Sequence, residues 1–273
     1  MKTIPQLIAL ASLALAGNVQ AAPKAELWTR WAAHDEASTQ LVDHSAWDAL
    51  LQKYVKASGD GIARLAYGAL GAADRPALDA YLQRLQAVAV TGLSRAEQRA
   101  YWINLYNATT VKAVVDHYPV ASIMKIGISP GLFTRGPWGA KLVRVQGEGL
   151  SLDDIEHRIL RPIWKDPRTH YSVNCASLGC PNLAPHAWTA ATAEEMLNQA
   201  ARAFVNHPRG ARVEGGKLYV SSIYQWFKAD FGGDDAGVIA HLRQYAAPGL
   251  NQQLAGIRSI AGDDYDWSLN DAR

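Results

Sequence analysis

The sequence predicts an α+β fold, rich in helix and arranged around a small, mainly antiparallel sheet. Three observations point there. Capping-box signatures, a Ser or Thr followed three positions later by an acidic residue, open several segments of helical spacing. Strand-like segments are few and short. Nearly half of the 273 residues (49%) are apolar, enough to bury a substantial core. No Gly/Ser-rich or Pro-rich linker interrupts residues 40–260 and no internal repeat is found, so residues 22–273 are expected to form a single globular domain.

Taken in order, residues 1–21 read as a signal peptide: Lys2 gives the positive start, 7–16 ("LIALASLALA") an apolar run, and Val19 and Ala21 the small residues before a cleavage site at Ala22. That run is too short to span a bilayer, so the expectation is a periplasmic or secreted protein with no membrane span. Helical spacing covers 45–56 and 74–90. Ser94 with Glu97 opens a long helix over 94–117, stopped by Pro119; Ser151 with Asp154 opens a short one ending near Pro162. Thr192 with Glu195 opens another over 192–205. Strands are expected over 142–146 and 170–174, with a hairpin of 211–214 and 217–221 around Gly215-Gly216. The formal net charge is +2, and loss of Lys2 with the leader brings it closer to zero. No basic tract stands out, so nucleic acid is not an expected partner.

Polar residues on apolar faces mark candidate sites. On the long helix, Ala96, Ala100, Ile103, Val111 and Val114 form a stripe with Asn107 in its middle and Asn104 at its edge. Buried amides must be hydrogen-bonded, either tying down a neighbouring loop or lining a binding site. Asp230 falls within the stripe of Ile223, Trp226, Phe227 and Phe231, with Arg161 and Arg168 as candidate partners. In "SLDDIEHRILRP" Glu156 borders the apolar face, and His157 points further round and is expected to be the more exposed.

The only cysteines, Cys175 and Cys180, lie in "RTHYSVNCASLGCPNLAP". If 170–174 is a strand and "ASLG" begins a helical turn, Cys175 sits at a helix N-terminus, where backbone N–H groups favour the thiolate and offer an oxyanion site. The base is then His157 or His170, with Glu156 or Asp230 as orienter. His157 is preferred, because His170 would point to the opposite face of the strand from the thiol. Two alternatives stand beside this: a Cys175–Cys180 disulfide, which an oxidising compartment favours, and a metal site of Cys175, Cys180, His157 and His170, for which C-x4-C is a poor spacing. No metal and no cofactor is therefore expected.

"YWINLYNATTV", "HYPVASI", "LSLDDIEHRILRP", "DPRTHYSVNCASLGCPNL", "WFKADFGG" and "YDWSLN", in that order, resemble the domain-of-unknown-function family 547, with matching blocks over about 47–270. The resemblance implies that Asn104, Asn107, Glu156, His157, His170, Cys175 and Asp230 belong to the family's pattern. It implies no activity. A cysteine at a helix N-terminus also suggests an analogy with papain-like and transglutaminase-like enzymes. Those usually carry their histidine on a strand after the cysteine, and 217–221 has none, so the arrangement here would be permuted or distant. The leading expectation is a periplasmic cysteine-dependent hydrolase or acyl transferase acting on a small-molecule or peptide substrate. Its rival is a non-catalytic envelope module that binds a ligand or partner, its two cysteines bonded.

Overall fold

The fold is organised by one long helix whose polar residues are buried along with its apolar ones. The computed structural model describes residues 23–131 and 134–272; the expected signal peptide lies outside them. Ahead of the long helix come α1 (Ser45–Tyr54) and α2 (Asp74–Gln86), with the short strands β1 (Val55–Lys56) and β2 (Arg64–Leu65) between them. The long helix, α3 (Arg95–His117), starts where Ser94 accepts a hydrogen bond from the Glu97 N–H and ends before Tyr118-Pro119. It was expected to bury a single stripe. Instead it is enclosed on every side from Glu97 to Val111, while Ala96 is exposed on the open first turn.

Enclosure makes an unpaired polar side chain on α3 costly, and the charged and amide ones have partners. The Glu97 carboxylate accepts from the Val42 N–H at 2.7 Å, and the Gln98 amide donates to the Ala33 and Val90 carbonyls. Arg99 pairs with Asp166 and Glu194. The core around α3 takes in Trp31, Trp47, Tyr81, Trp102 and Leu152, and Val145 from the hairpin β3 (Val143–Val145) and β4 (Glu148–Leu150).

Ser151 caps the next segment, its Oγ accepting from the Asp154 N–H while the Asp154 carboxylate accepts from the Ser151 N–H. Asp154–Leu160 then winds as a π-helix, with the Arg161 N–H donating to the Glu156 carbonyl five residues back. Such widened turns are rare and are frequently found at functional sites. It runs into α4 (Arg161–Trp164), and α5 (Thr169–Ser172) follows. The strand expected over 170–174 is therefore a single helical turn, closed by the Ser172 hydroxyl donating to the Thr169 carbonyl, with extended backbone only from Val173. Five alternating residues are too few for periodicity to separate the two.

A second core gathers Tyr171, Phe204, Tyr224, Phe231 and Leu242. It lies among α6 (Ala193–Val205), the hairpin β5 (Ala211–Glu214) and β6 (Lys217–Ser221), α7 (Ser222–Trp226), α8 (Asp235–Tyr245) and α9 (Pro248–Leu254). The hairpin forms as expected, and β6 also pairs in parallel with β7 (Ile260–Asp264). The single sheet expected is thus three small ones, of two, two and three strands, and the fold is α+β and rich in helix. Tyr171 belongs to the second core and Val173, Ala176 and Leu183 to the first. The cysteine stretch runs between them. No described helix is long and apolar enough to cross a membrane.

Candidate functional site

The backbone around Cys175 is held by amides from both sides. Asn107, on the buried face of α3, donates from Nδ2 to the Ser172 carbonyl (2.9 Å), and its Oδ1 accepts from the Asn174 N–H (2.8 Å). Asn174 in turn accepts from the Ala176 N–H (2.9 Å) and donates to the Pro181 carbonyl (2.7 Å). Asn104 makes the same paired contact with Trp188, donating to its carbonyl and accepting from its N–H. Both α3 asparagines therefore clamp the loop that carries the cysteines.

Ala176 adopts φ +58°, a left-handed conformation that costs a side-chain-bearing residue about 1–2 kcal/mol. It turns the chain sharply just after Cys175, so no helix begins there. The turn's amides are spent on the closing segment: Leu178 N–H donates to the Ser268 carbonyl and Gly179 N–H to the Asp266 carbonyl, both at 2.8 Å. Gly179 is required by this approach, since a methyl group in its place would lie 2.8 Å from the Asp266 nitrogen. The expected helix N-terminus, with its dipole and free N–H groups, is replaced by a tightly bonded turn.

What replaces the dipole is a set of side chains. The half-buried Cys175 Sγ lies 2.9 Å from the Tyr265 hydroxyl and 3.2 Å from the Ser177 hydroxyl, which are 2.8 Å from each other. Cys180 is a second free thiol, buried, and its Sγ accepts from the Cys175 N–H at 3.0 Å. Burial pushes the Cys175 thiol up, but hydrogen bonds from Cys180, Ser177 and Tyr265 outweigh it and bring its pKa below the ordinary value. Cys180 moves the other way, raised by burial and by Cys175. Tyr265, raised by burial and by both sulfurs, keeps its proton and so remains a donor. Tyr265 also forms one wall of a cleft of about 140 Å³. A larger groove, about 380 Å³, is lined by none of the candidate residues.

The other candidates gather in a neighbouring cluster. His170 is buried with Nε2 2.7 Å from Asp230 and Nδ1 3.6 Å from Glu156. Arg161 donates from Nε to the same Asp230 oxygen (2.6 Å) and from Nη1 to the Pro23 carbonyl (2.7 Å). Of the two arginines expected near Asp230, Arg161 is the partner; Arg168 pairs with Asp166 and Glu194. His157, expected to be the more exposed residue, is as buried as Glu156. The Glu26 N–H donates to the His157 carbonyl, and Phe227 lies against its ring.

Arg161 can only donate, so the contact from its Nη1 to His157 Nδ1 at 3.0 Å makes Nδ1 the acceptor and leaves the ring proton on Nε2. Burial and Arg161 outweigh Glu156 and lower His157 to about 4, so it is neutral. His170 is the opposite case: burial lowers it, but hydrogen bonds to Asp230 and Glu156 raise it above its ordinary value. Burial raises the Glu156 carboxyl, and the two imidazoles and Arg161 more than offset this, holding it at about 2. Asp230 is likewise held well below the carboxylate range: burial raises it, and hydrogen bonds from His170 and Arg161 prevail. Two cations thus balance two anions.

Besides Cys180, the sulfur's hydrogen-bond partners are Ser177 and Tyr265, with neither His157 nor His170 among them. The cluster meets the thiol through the Glu156 charge, which opposes the thiolate. Sequence reasoning missed Ser177 and Tyr265, although Tyr265 opens the quoted motif "YDWSLN". Among the described residues, no group of three or more His, Cys, Asp or Glu is placed to hold a metal ion.

No curated protein and no solved structure matches the chain, so no structural match carries the analogy with papain-like and transglutaminase-like enzymes. Residues 90–205 match the model of a family described as "Protein of unknown function, DUF547". That stretch contains α3 with both clamping asparagines, the π-helix and the cysteine turn. Across it, the chain resembles the DUF547 family.

Proposed function

We propose that this protein is a cysteine-dependent hydrolase or acyl transferase whose nucleophile is Cys175. One observation carries the reading: a half-buried sulfur hydrogen-bonded to Tyr265, which walls a small cleft, where hydrogen bonds from Cys180, Ser177 and Tyr265 favour the thiolate in spite of burial. The thiolate would add to an acyl carbonyl, forming the S–C bond as the carbonyl π pair moves to oxygen. Collapse breaks the bond to the leaving group, which departs with its electron pair and takes a proton from water. Water, or a second nucleophile, then releases the acyl group from the thioester. His157, the base expected from sequence, bonds Arg161 in this geometry, so the thiolate is favoured by Cys180 and by hydroxyl donors, and not by an adjacent imidazole.

The test is a covalent one. Incubation with p-nitrophenyl acetate should add a single acetyl group to the intact protein, mapped by peptide mass spectrometry to Cys175 and lost in Cys175→Ser. Acetylation spread over lysines, or none at Cys175, contradicts the reading. We further propose that the protein is exported and cleaved before Ala22, on the pattern of residues 1–21. N-terminal sequencing of protein from the cell envelope should then begin at Ala22 or a neighbour, and an intact Met1 on cytoplasmic protein would overturn it.

A further inference from the structure

The cleft beside Cys175 is lined by Ile62, Leu178, Gly179, Arg209, Asp264, Tyr265 and Asp266, and Arg209 is its one cation. Arg209 makes no ion pair with any described carboxylate, although most arginines that are equally shielded in this chain do. It is fixed by two neutral acceptors: Nη1 donates to the Leu178 carbonyl at 2.6 Å and Nη2 to Asn182 Oδ1. Asn182 is itself held, accepting from the Ala63 N–H and donating to the Gly61 carbonyl. Nε is buried without an acceptor. Its guanidinium also lies over the Phe204 ring, 5.5 Å from the centroid. A guanidinium has five N–H donors, so this one is pre-set with donors to spare and with an aromatic face, not a carboxylate, to offset a charge that is costly to shield from water.

The acidic groups at the cleft do not cancel it. Asp264 is taken by Arg212 at 2.7 Å. Asp266 is exposed, with Oδ1 accepting from the Ser268 N–H. Beyond the lining, Asp60 is held by Arg64. Arg209 shares the cleft with Tyr265, whose hydroxyl lies 2.9 Å from the Cys175 sulfur, and it grips the Leu178 carbonyl three residues beyond that cysteine. The cleft is small, about 140 Å³, so it takes an end group and a short stem. A guanidinium recognises a carboxylate through its planar fork.

We propose that Arg209 is the anchor for a substrate carboxylate, so that the acyl substrates of Cys175 carry a negative charge within a few bonds of the reactive carbonyl. The inference rests on Cys175 being the nucleophile, and two measurements keep the two ideas separate. The first uses Cys175→Ser protein, in which thiol chemistry plays no part. N-acetylglycine should shift the Gly179 and Asp266 amide NMR signals saturably, and its neutral amide, N-acetylglycinamide, should bind at least tenfold more weakly. Arg209→Met should abolish that preference and Arg209→Lys retain part of it. Equal binding of acid and amide, or a preference that survives in Arg209→Met, overturns the proposal.

The second measurement compares iodoacetate with iodoacetamide at Cys175, relative to free cysteine in the same buffer. The wild-type ratio should exceed the free-cysteine ratio several-fold and return to it in Arg209→Met, with the iodoacetamide rate held within about twofold. An unchanged ratio contradicts the anchor. Sluggish reaction with both reagents, beside normal carboxylate binding in the first experiment, removes the nucleophile and leaves the anchor standing.

Discussion

At Cys175 two opposing effects meet, and the balance between them sets its chemistry. Burial and the Glu156 charge disfavour the thiolate, while hydrogen bonds from Cys180, Ser177 and Tyr265 favour it. A hydrogen bond to a charged group contributes about 1.5–3 kcal/mol, and one pKa unit corresponds to about 1.4 kcal/mol. Removing the Tyr265 hydroxyl should therefore raise the Cys175 pKa by about one to two units. Tyr265→Phe keeps the ring that packs against Trp226 and Trp267. Its pH profile of iodoacetamide alkylation should shift upward by that amount, and a profile that coincides with the wild type would leave Tyr265 no part in stabilising the sulfur. The donors were hidden from the sequence because Tyr265 is 90 residues from Cys175, and only a folded chain brings the closing segment across the turn.

Between elements, Asp230 is the junction. Through Arg161 and His170 it joins the end of the π-helix to α5 and to the turn at Lys228–Phe231. Replacing it leaves the buried Arg161 guanidinium without its carboxylate and the His170 imidazolium with Glu156 alone. Loss of one partner of a buried pair costs about 3–5 kcal/mol, and Asp230 is partly exposed, which reduces the figure. Asp230→Asn should lower the unfolding free energy by about 2–4 kcal/mol in urea titration; a change below about 0.5 kcal/mol would show that the junction carries no weight. This pairing was legible in sequence, because a carboxylate inside the apolar stripe of Ile223, Trp226, Phe227 and Phe231 demanded a cation. The capped start of α3 and the Gly-Gly hairpin were legible for the same reason, each being set by local chemistry. Local spacing misled where tertiary contacts decide: the 170–174 alternation became a helical turn, and His157 is buried, with Phe227 and Arg161 against its ring.

Across the whole molecule, buried histidines shape the response to pH. His44, His157 and His241 are each lowered to about 4, burial being the largest cause. Between pH 6.5 and 4 the unfolded chain takes up protons at these residues and the folded one does not, so stability falls as pH falls, by up to about 1.4 kcal/mol per unit for each. Glu156, held at about 2, and Asp230 extend the loss below pH 4.5. His170 acts in reverse: its pKa is raised, so its contribution is complete below pH 6.5 and is lost as pH rises through its folded value. Urea midpoints should therefore drop clearly between pH 6.5 and pH 5, and equal midpoints would contradict these assignments. The central claim, a reactive thiolate at Cys175, is tested most directly by site-resolved alkylation. Native protein purified without reductant is treated with iodoacetamide from pH 5 to 10, and labelling at each cysteine is followed by mass spectrometry. The account predicts that Cys175 labels first, with a midpoint below about 8.5, while Cys180 stays protected until the protein unfolds. A Cys175 midpoint at or above that value, or two cysteines that label only after reduction because they are bonded to each other, would contradict it.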